Sequence, residues 1–281
     1  MEQSFEVAGP AELEIRLASG DITIDPTLDG RVEVELTATD EESQRLVDEA
    51  TIELRESHGR PLIVIEVQKK AGFNLGSLFG RQGITCRVRC PEGSGVSAKT
   101  KSADLLAHGV LGGLNVQTAS GDVEADRVTG GVNVKSASGD VSVREIGAGV
   151  NVQCASGDVD IEVVRGSINV NSASGDVTIG EAYDNVNVNT VSGDQDHGAV
   201  LRGTVSAHSV SGDVSIGVRR GSKVFLDCST VNGDTNSELE LSGDVPEGDG
   251  PLVEIRAKTV SGDIRITRAP APSDNTQGVH A

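Results

Sequence analysis

The chain has 281 residues and a formal net charge of −19, from 43 acids against 24 bases. Phosphate neutralisation needs clustered Lys and Arg, so this balance argues against nucleic acid and favours solubility or a cationic partner. Aromatic residues make up 2%, Trp is absent and Gly reaches 35, so apolar burial must come from Val, Ile, Leu and Ala, the residues that stack in registered strands.

The N-terminus, MEQSFEVAGPAELEI, shows no basic start followed by an apolar run, and no stretch approaches the length of a bilayer span. The cytoplasm is therefore the expected location. Leu13-Glu14-Ile15 followed by Ser19-Gly20-Asp21-Ile22-Thr23-Ile24 matches a unit that recurs later, so this opening segment is expected to continue the same core. Val32 to Leu36 and Leu62 to Val67 alternate as further strands. Between them Thr39-Asp40-Glu41-Glu42 offers a capping box for a short helix through about Ala50. Residues 1–91 thus read as a β-rich cap that protects an open strand edge. Gly72 to Gly83, GFNLGSLFGRQG, holds two of the four Phe in a glycine-rich loop; packing over the cap and an exposed partner or membrane contact are both open.

From residue 92 the chain repeats. Asp104, Asp122, Asp140, Asp158, Asp176 and Asp194 stand 18 residues apart, followed by Asp213, Asp234 and Asp263, and most close a Ser-Gly-Asp triplet. A regular period of this length is the mark of a solenoid, whose repeats bury their apolar faces only by stacking. In the coil GVNVKSASGDVSVREIGAG, Val132 and Val134 alternate with Asn133 and Lys135; after the corner, Val141 and Val143 alternate with Ser142 and Arg144. Each coil therefore supplies two strands with apolar inner faces, paired in parallel with those of the next coil. The fold class is all-β: a parallel β-solenoid or β-helix of about nine 18–21-residue coils, with an N-terminal β-rich cap containing one short helix. A flattened two-sided form and a three-sided one both fit this length.

Several columns lie in register. Gly113, Gly131, Gly149, Ser167, Asn185 and Gly203 mark a second tight bend. Thr118, Ser136, Cys154, Ser172, Thr190 and Ser209 form a file of small residues, in which Cys154 stands in for Ser. Cys86, Cys90, Cys154 and Cys228 show no Cys-x-x-Cys spacing, which argues for reduced, buried thiols and no metal. Asn115, Asn133, Asn151, Asn169 and Asn187 are expected to form an amide ladder, which is also a flat recognition surface. The aspartate column is expected to be a corner ladder. Carboxylates about 4.8 Å apart repel by about 1 kcal/mol in water, and backbone N–H donors at the turn would offset that. Calcium between corners is the alternative, although its sites need six to eight oxygens.

The pattern breaks after Asp194, where Gln195, Asp196 and His197 replace the expected Val-x-Val. A bulge, a locally opened coil, and an irregular site built from Asp194, Asp196 and His197 are the readings; alternation places neighbours on opposite faces. The insertion LSGDVPEGDGP, Leu241 to Pro251, reads as a surface loop with its Ser-Gly-Asp out of phase, and residues 269–281 as a disordered tail after a solenoid spanning 92–268.

The Ser-Gly-Asp-Val/Ile units, the run Cys90-Pro91-Glu92-Gly93-Ser94 before the first full coil and the N-terminal strand block together resemble a bacterial β-strand-repeat family labelled "putative adhesin", a domain of unknown function of the DUF4097 type, over roughly Ala11 to Thr267. The resemblance implies a β-solenoid-like fold without established catalytic residues, and its label implies a role at the cell surface. The expected function is non-enzymatic: a rigid solenoid acting as an adhesin-like binding module for a protein partner, or a self-assembling scaffold. A calcium-stabilised solenoid and a polysaccharide-acting β-helix enzyme, which would need two carboxylates at a working distance, are the alternatives. No cofactor is expected, and the sequence leaves a small-molecule ligand open.

Overall fold

The structure, a computed structural model, describes residues 1–57, 59–67, 83–239 and 250–269. Most of the glycine-rich stretch Gly72 to Gly83, most of the insertion Leu241 to Pro251 and nearly all of the expected tail lie outside the described residues. Among those described, the chain forms 23 strands and one helix.

The regular body is built as the valine alternation requires. After each bend a strand of five to nine residues runs along one face: β8 (Gly113–Thr118), β10 (Val132–Ser136), β12 (Val150–Ser156), β14 (Ile168–Ser174), β16 (Val186–Ser192) and β18 (Gly203–Ser211). After each Ser-Gly-Asp corner a second strand returns along the other face: β9 (Val123–Val128), β11 (Val141–Ile146), β13 (Val159–Val164), β15 (Val177–Ala182), β17 (Gln195–Val200) and β19 (Val214–Val218). Each strand pairs in parallel with its counterpart one coil away, as in Val132↔Val150 and Val141↔Val159. The solenoid is thus two-sided, and we call the two surfaces the first and second faces. Inward residues such as Val134, Val152, Val170 and Val188 are fully buried. Each contributes about 1.5–3 kcal/mol of hydrophobic stabilisation, but only because a neighbouring coil covers it.

Both ends depart from chain order. At the start come β1 (Glu2–Glu6), β2 (Glu12–Asp25), β3 (Arg31–Ala38), β4 (Thr51–Ser57), β5 (Arg60–Val67), β6 (Ile84–Arg89) and β7 (Gly95–Leu111). β2 and β7 run through the corner without a break and so serve both faces. β2 lies between β7 on one side and β5 and β6 on the other, so the first coil in sequence is not the first in space. Beyond it β4 pairs antiparallel with β5, and β3 and β1 extend the other face by antiparallel pairing from β6. At the far end β20 (Lys223–Asn232) and β21 (Thr235–Ser237) precede β22 (Leu252–Ser261) and β23 (Ile264–Arg268) in sequence. In space the order reverses: β22 and β23 pair with β18 and β19, and β20 and β21 stack outside them. One cluster of buried apolar residues includes both Val7 and Ile266.

The single helix, α1 (Glu41–Asp48), starts at Asp40, whose Oδ1 accepts the Ser43 N–H at 2.8 Å while its Oδ2 accepts the Ser43 hydroxyl. Its cap is therefore an Asp–Ser pair one residue later than a Thr39 box would give. Leu46 and Val47 are its buried face, packed on β3 and β6.

Candidate functional site

The aspartates meet at the corner. The backbone N–H of each donates to Oδ1 of the aspartate one coil before it: Asp122 to Asp104 at 3.0 Å, Asp140 to Asp122 at 2.9 Å, and Asp158 to Asp140, Asp176 to Asp158, Asp194 to Asp176 and Asp213 to Asp194 at 2.8 Å. The chain of bonds then follows space rather than sequence, with Asp263 donating to Asp213 and Asp234 to Asp263. Every rung is a charge-assisted bond to a backbone donor, the arrangement that offsets like-charge repulsion between stacked carboxylates. Among the described residues no group of three or more His, Cys, Asp or Glu side chains is placed to hold a metal ion.

Asp158→Ala should lower stability by about 1 kcal/mol, because the Asp176 N–H loses its acceptor although water can replace it. Asp158→Asn keeps an acceptor oxygen and removes one of a file of like charges, so it should match or exceed the parent chain. Urea unfolding of both checks this; equal losses would mean that charge, not the acceptor, matters here.

The small-residue file braces the same corner from inside. Ser136 Oγ accepts the Gly139 N–H at 2.7 Å and Thr118 Oγ1 accepts the Gly121 N–H at 2.8 Å, while Ser172 donates to the Ser174 carbonyl. On the outside of the first face, Asn133, Asn151, Asn169 and Asn187 each donate from Nδ2 to Oδ1 of the preceding asparagine at 2.8–3.0 Å, ending on Asn115. Asn189 repeats the bond to Asn171 in the neighbouring column.

The structure does not bring Asp194, Asp196 and His197 together. Asp194 is a rung of the corner ladder, Asp196 points out from β17 between Thr178 and Ser215, and His197 points in between Ile179 and Ile216. The register slips by one residue between His197 and Val200, a β-bulge. Gln195 and His197 are both 1% exposed. Gln195 Nε2 reaches Thr190 Oγ1 and the His208 carbonyl, but its Oε1, both His197 ring nitrogens and Ser209 Oγ have no hydrogen-bond partner among the described residues. Burial alone pushes the His197 imidazole down to about 4. Burial also pushes the thiols of Cys86 and Cys90 up to about 12 and about 11, so neither is a thiolate at neutral pH.

The feature that motif reading passed over is the sorting of charge between faces. β8, β10, β12, β14, β16 and β18 contain no Asp or Glu at all. The strands opposite carry Glu124, Asp126, Glu145, Asp160, Glu162, Glu181 and Asp196. One outward file on the first face runs Arg16, Lys99, Gln117, Lys135, Gln153, Asn171, Asn189, His208, Lys258, a hydrogen-bond donor on each of these coils, and beyond Arg16 it meets Glu66. Arg16 is paired with Glu14 and Glu66, whereas Lys99 and Lys135 form no ion pair among the described residues. Beside this file the small residues Ala119, Ala155 and Ala173 leave a groove of about 900 Å³ that spans six coils from Lys99 to Val191.

Among the described residues no helix is long and apolar enough to cross a membrane, which says nothing of strands. No curated protein matches the chain. Three solved structures are similar along nearly their whole length. They are a "putative adhesin" from Bacteroides fragilis (16% identity, 95% of this chain and 96% of that one, TM-score 0.45), a "putative adhesin" from Parabacteroides distasonis (15%, 94% and 96%, 0.46) and a "putative lipid binding protein" from Parabacteroides distasonis (13%, 94% and 96%, 0.47). Likeness at these identities carries no assignment of function. The family model described as Toastrack DUF4097 matches residues 11–267, the whole stack of coils from β2 to β23, and the chain belongs to that family.

Proposed function

We propose that the protein is a non-enzymatic binding module whose first face receives an extended, acidic segment of a protein partner. The observation that carries this reading is the stretch of that file from Lys99 to His208, which holds Lys99 and Lys135 and no carboxylate, on a chain of net charge −19. Six coils are separated by five spacings of about 4.8 Å, which gives a groove on the order of 24 Å, enough for about seven residues of extended chain laid along the axis. Lysine ammonium groups and side-chain amides recognise carboxylates and backbone carbonyls, and the alanine floor lets a backbone approach. The acidic second face and corner would repel the same segment, which fixes the side that binds. The sparse aromatic content and the separation of Asp194, Asp196 and His197 speak against a hydrolytic site.

Selection from an unbiased displayed peptide library tests this. Peptides rich in Asp and Glu should be enriched, and should lose about tenfold or more in affinity against a Lys99→Glu/Lys135→Glu variant, with binding weakening as salt rises. Selected peptides without acidic bias, or full binding to the double variant, would sink the reading.

A further inference from the structure

The two ends of the solenoid are finished differently. At the start, the last strands on each face are short, antiparallel and charged: β1 carries Glu2 and Glu6, and β4 carries Glu53, Arg55 and Glu56, while α1 packs on β3 and β6. These are the usual means of blunting an edge. At the other end β20 is a ten-residue strand whose outer edge has no partner among the described residues. Its inward side chains Val224, Leu226 and Cys228 are only half-buried, unlike Val253, Ile255 and Ala257 one coil further in, which are fully buried. Its outward side carries Phe225, 56% exposed, and Val231, 82% exposed.

We propose that β20 pairs antiparallel with β20 of a second copy, closing the open end as a two-fold dimer. The strand is self-complementary in a way that selects one register. An antiparallel pair must set inward residues against inward residues, so the two-fold axis passes through a residue and not between two. Two centres keep nearly the whole of Lys223–Asn232 paired. Centring on Asp227 sets that carboxylate against itself, which is unfavourable for directly opposed like charges. Centring on Cys228 sets Phe225 against Val231 of the second copy at both ends of the pair and Leu226 against Thr230, with Cys228 facing its own counterpart on the axis. That register covers both exposed apolar residues of the strand and extends both core layers across the junction. An isologous contact of this kind closes on itself, so it gives dimers and not filaments.

Sedimentation equilibrium of the full chain should give about twice its 29.0 kDa mass. Val231→Lys should raise the dimer dissociation constant by at least about thirtyfold while leaving the thermal midpoint of the monomer unchanged. Mild oxidation should link the dimer through a Cys228–Cys228 disulfide, since directly opposed residues of an antiparallel pair stand about 4.5–5.5 Å apart and Cys86, Cys90 and Cys154 are buried, and Cys228→Ser should abolish the link but keep the dimer. A monomer at all concentrations overturns the proposal. If replacing residues 240–249 by a Gly/Ser segment then yields dimers, that segment is what occupies the edge, and the proposal is again overturned. Filaments, a dimer indifferent to Val231→Lys, or one that leaves Cys228 unlinked each place the contact elsewhere and overturn it.

Discussion

Gly175→Ala is expected to be among the most damaging single substitutions in the solenoid, lowering stability by about 2–6 kcal/mol. Gly175 sits in the Ser-Gly-Asp corner at φ +123, a conformation that L side chains rarely adopt, and forcing one there costs about 1–3 kcal/mol. A Cβ would stand 2.2 Å from the Gly157 carbonyl oxygen and 2.7 Å from its carbon. Those atoms are backbone of the previous corner and cannot rotate aside, so overpacking adds a comparable amount. Moving that backbone would also disturb the adjoining Asp158, whose Oδ1 holds the Asp176 N–H. Because each coil is stable only against its neighbours, the strain should spread to the coils on either side. Gly221→Ala is the internal control: its φ is +86 but nothing lies within 4 Å of the added carbon, so only the conformational cost remains. Urea unfolding of the two variants should show Gly175→Ala much the worse; similar losses would mean that the stacking of corners imposes no steric demand.

That close approach explains why the corners were so legible. A residue without Cβ, a following carboxylate at fixed spacing and a preceding small hydroxyl are each demanded by contacts repeated at every coil, so the sequence repeats them too. Val-x-Val alternation declared the strands for the same reason, and the Asn and Asp columns could be placed in register by counting. The order of coils at the two ends could not be counted. The spacings from Asp213 to Asp234 and on to Asp263 are equally compatible with either stacking order, and only pairing of β22 with β18 reveals that Asp263 lies between the other two. Nor did the alternation in Leu13–Ile15 and Ile22–Ile24 show that β2 is flanked on both sides by later strands. The face that supports a binding role was present in the letters all along: GLNVQT and VNVKS hold no acid, whereas VEADRV and VSVREI do. It was passed over because a motif search looks for residues that are there, and this surface is defined by carboxylates that are not.

His197 is the position where the sequence departs from its own rule, and it should set the acid limit of the fold. Its imidazole is fully buried and held neutral, its pKa pushed down to about 4 from an ordinary 6.5 by burial. Between those two values the unfolded chain takes up a proton that the folded chain refuses. Stability from this group is therefore complete above about pH 6.5 and falls as pH drops toward 4, by about 3 kcal/mol in all. The flanking residues in the file are Ile179 and Ile216, so His197→Ile completes a column of isoleucines. At neutral pH it removes from the core two ring nitrogens that have no hydrogen-bond partner among the described residues, which should stabilise the chain by about 1–3 kcal/mol. At pH 4 the advantage should grow by the further amount that protonation takes from the parent. Denaturant unfolding of both proteins at pH 7.5, 5.5 and 4 separates this from titration of the carboxylates, which both share: the difference between the two must widen as pH falls. A constant difference would show that His197 takes up its proton as readily in the folded solenoid as in the unfolded chain, and that the bulge at β17 opens the site to water.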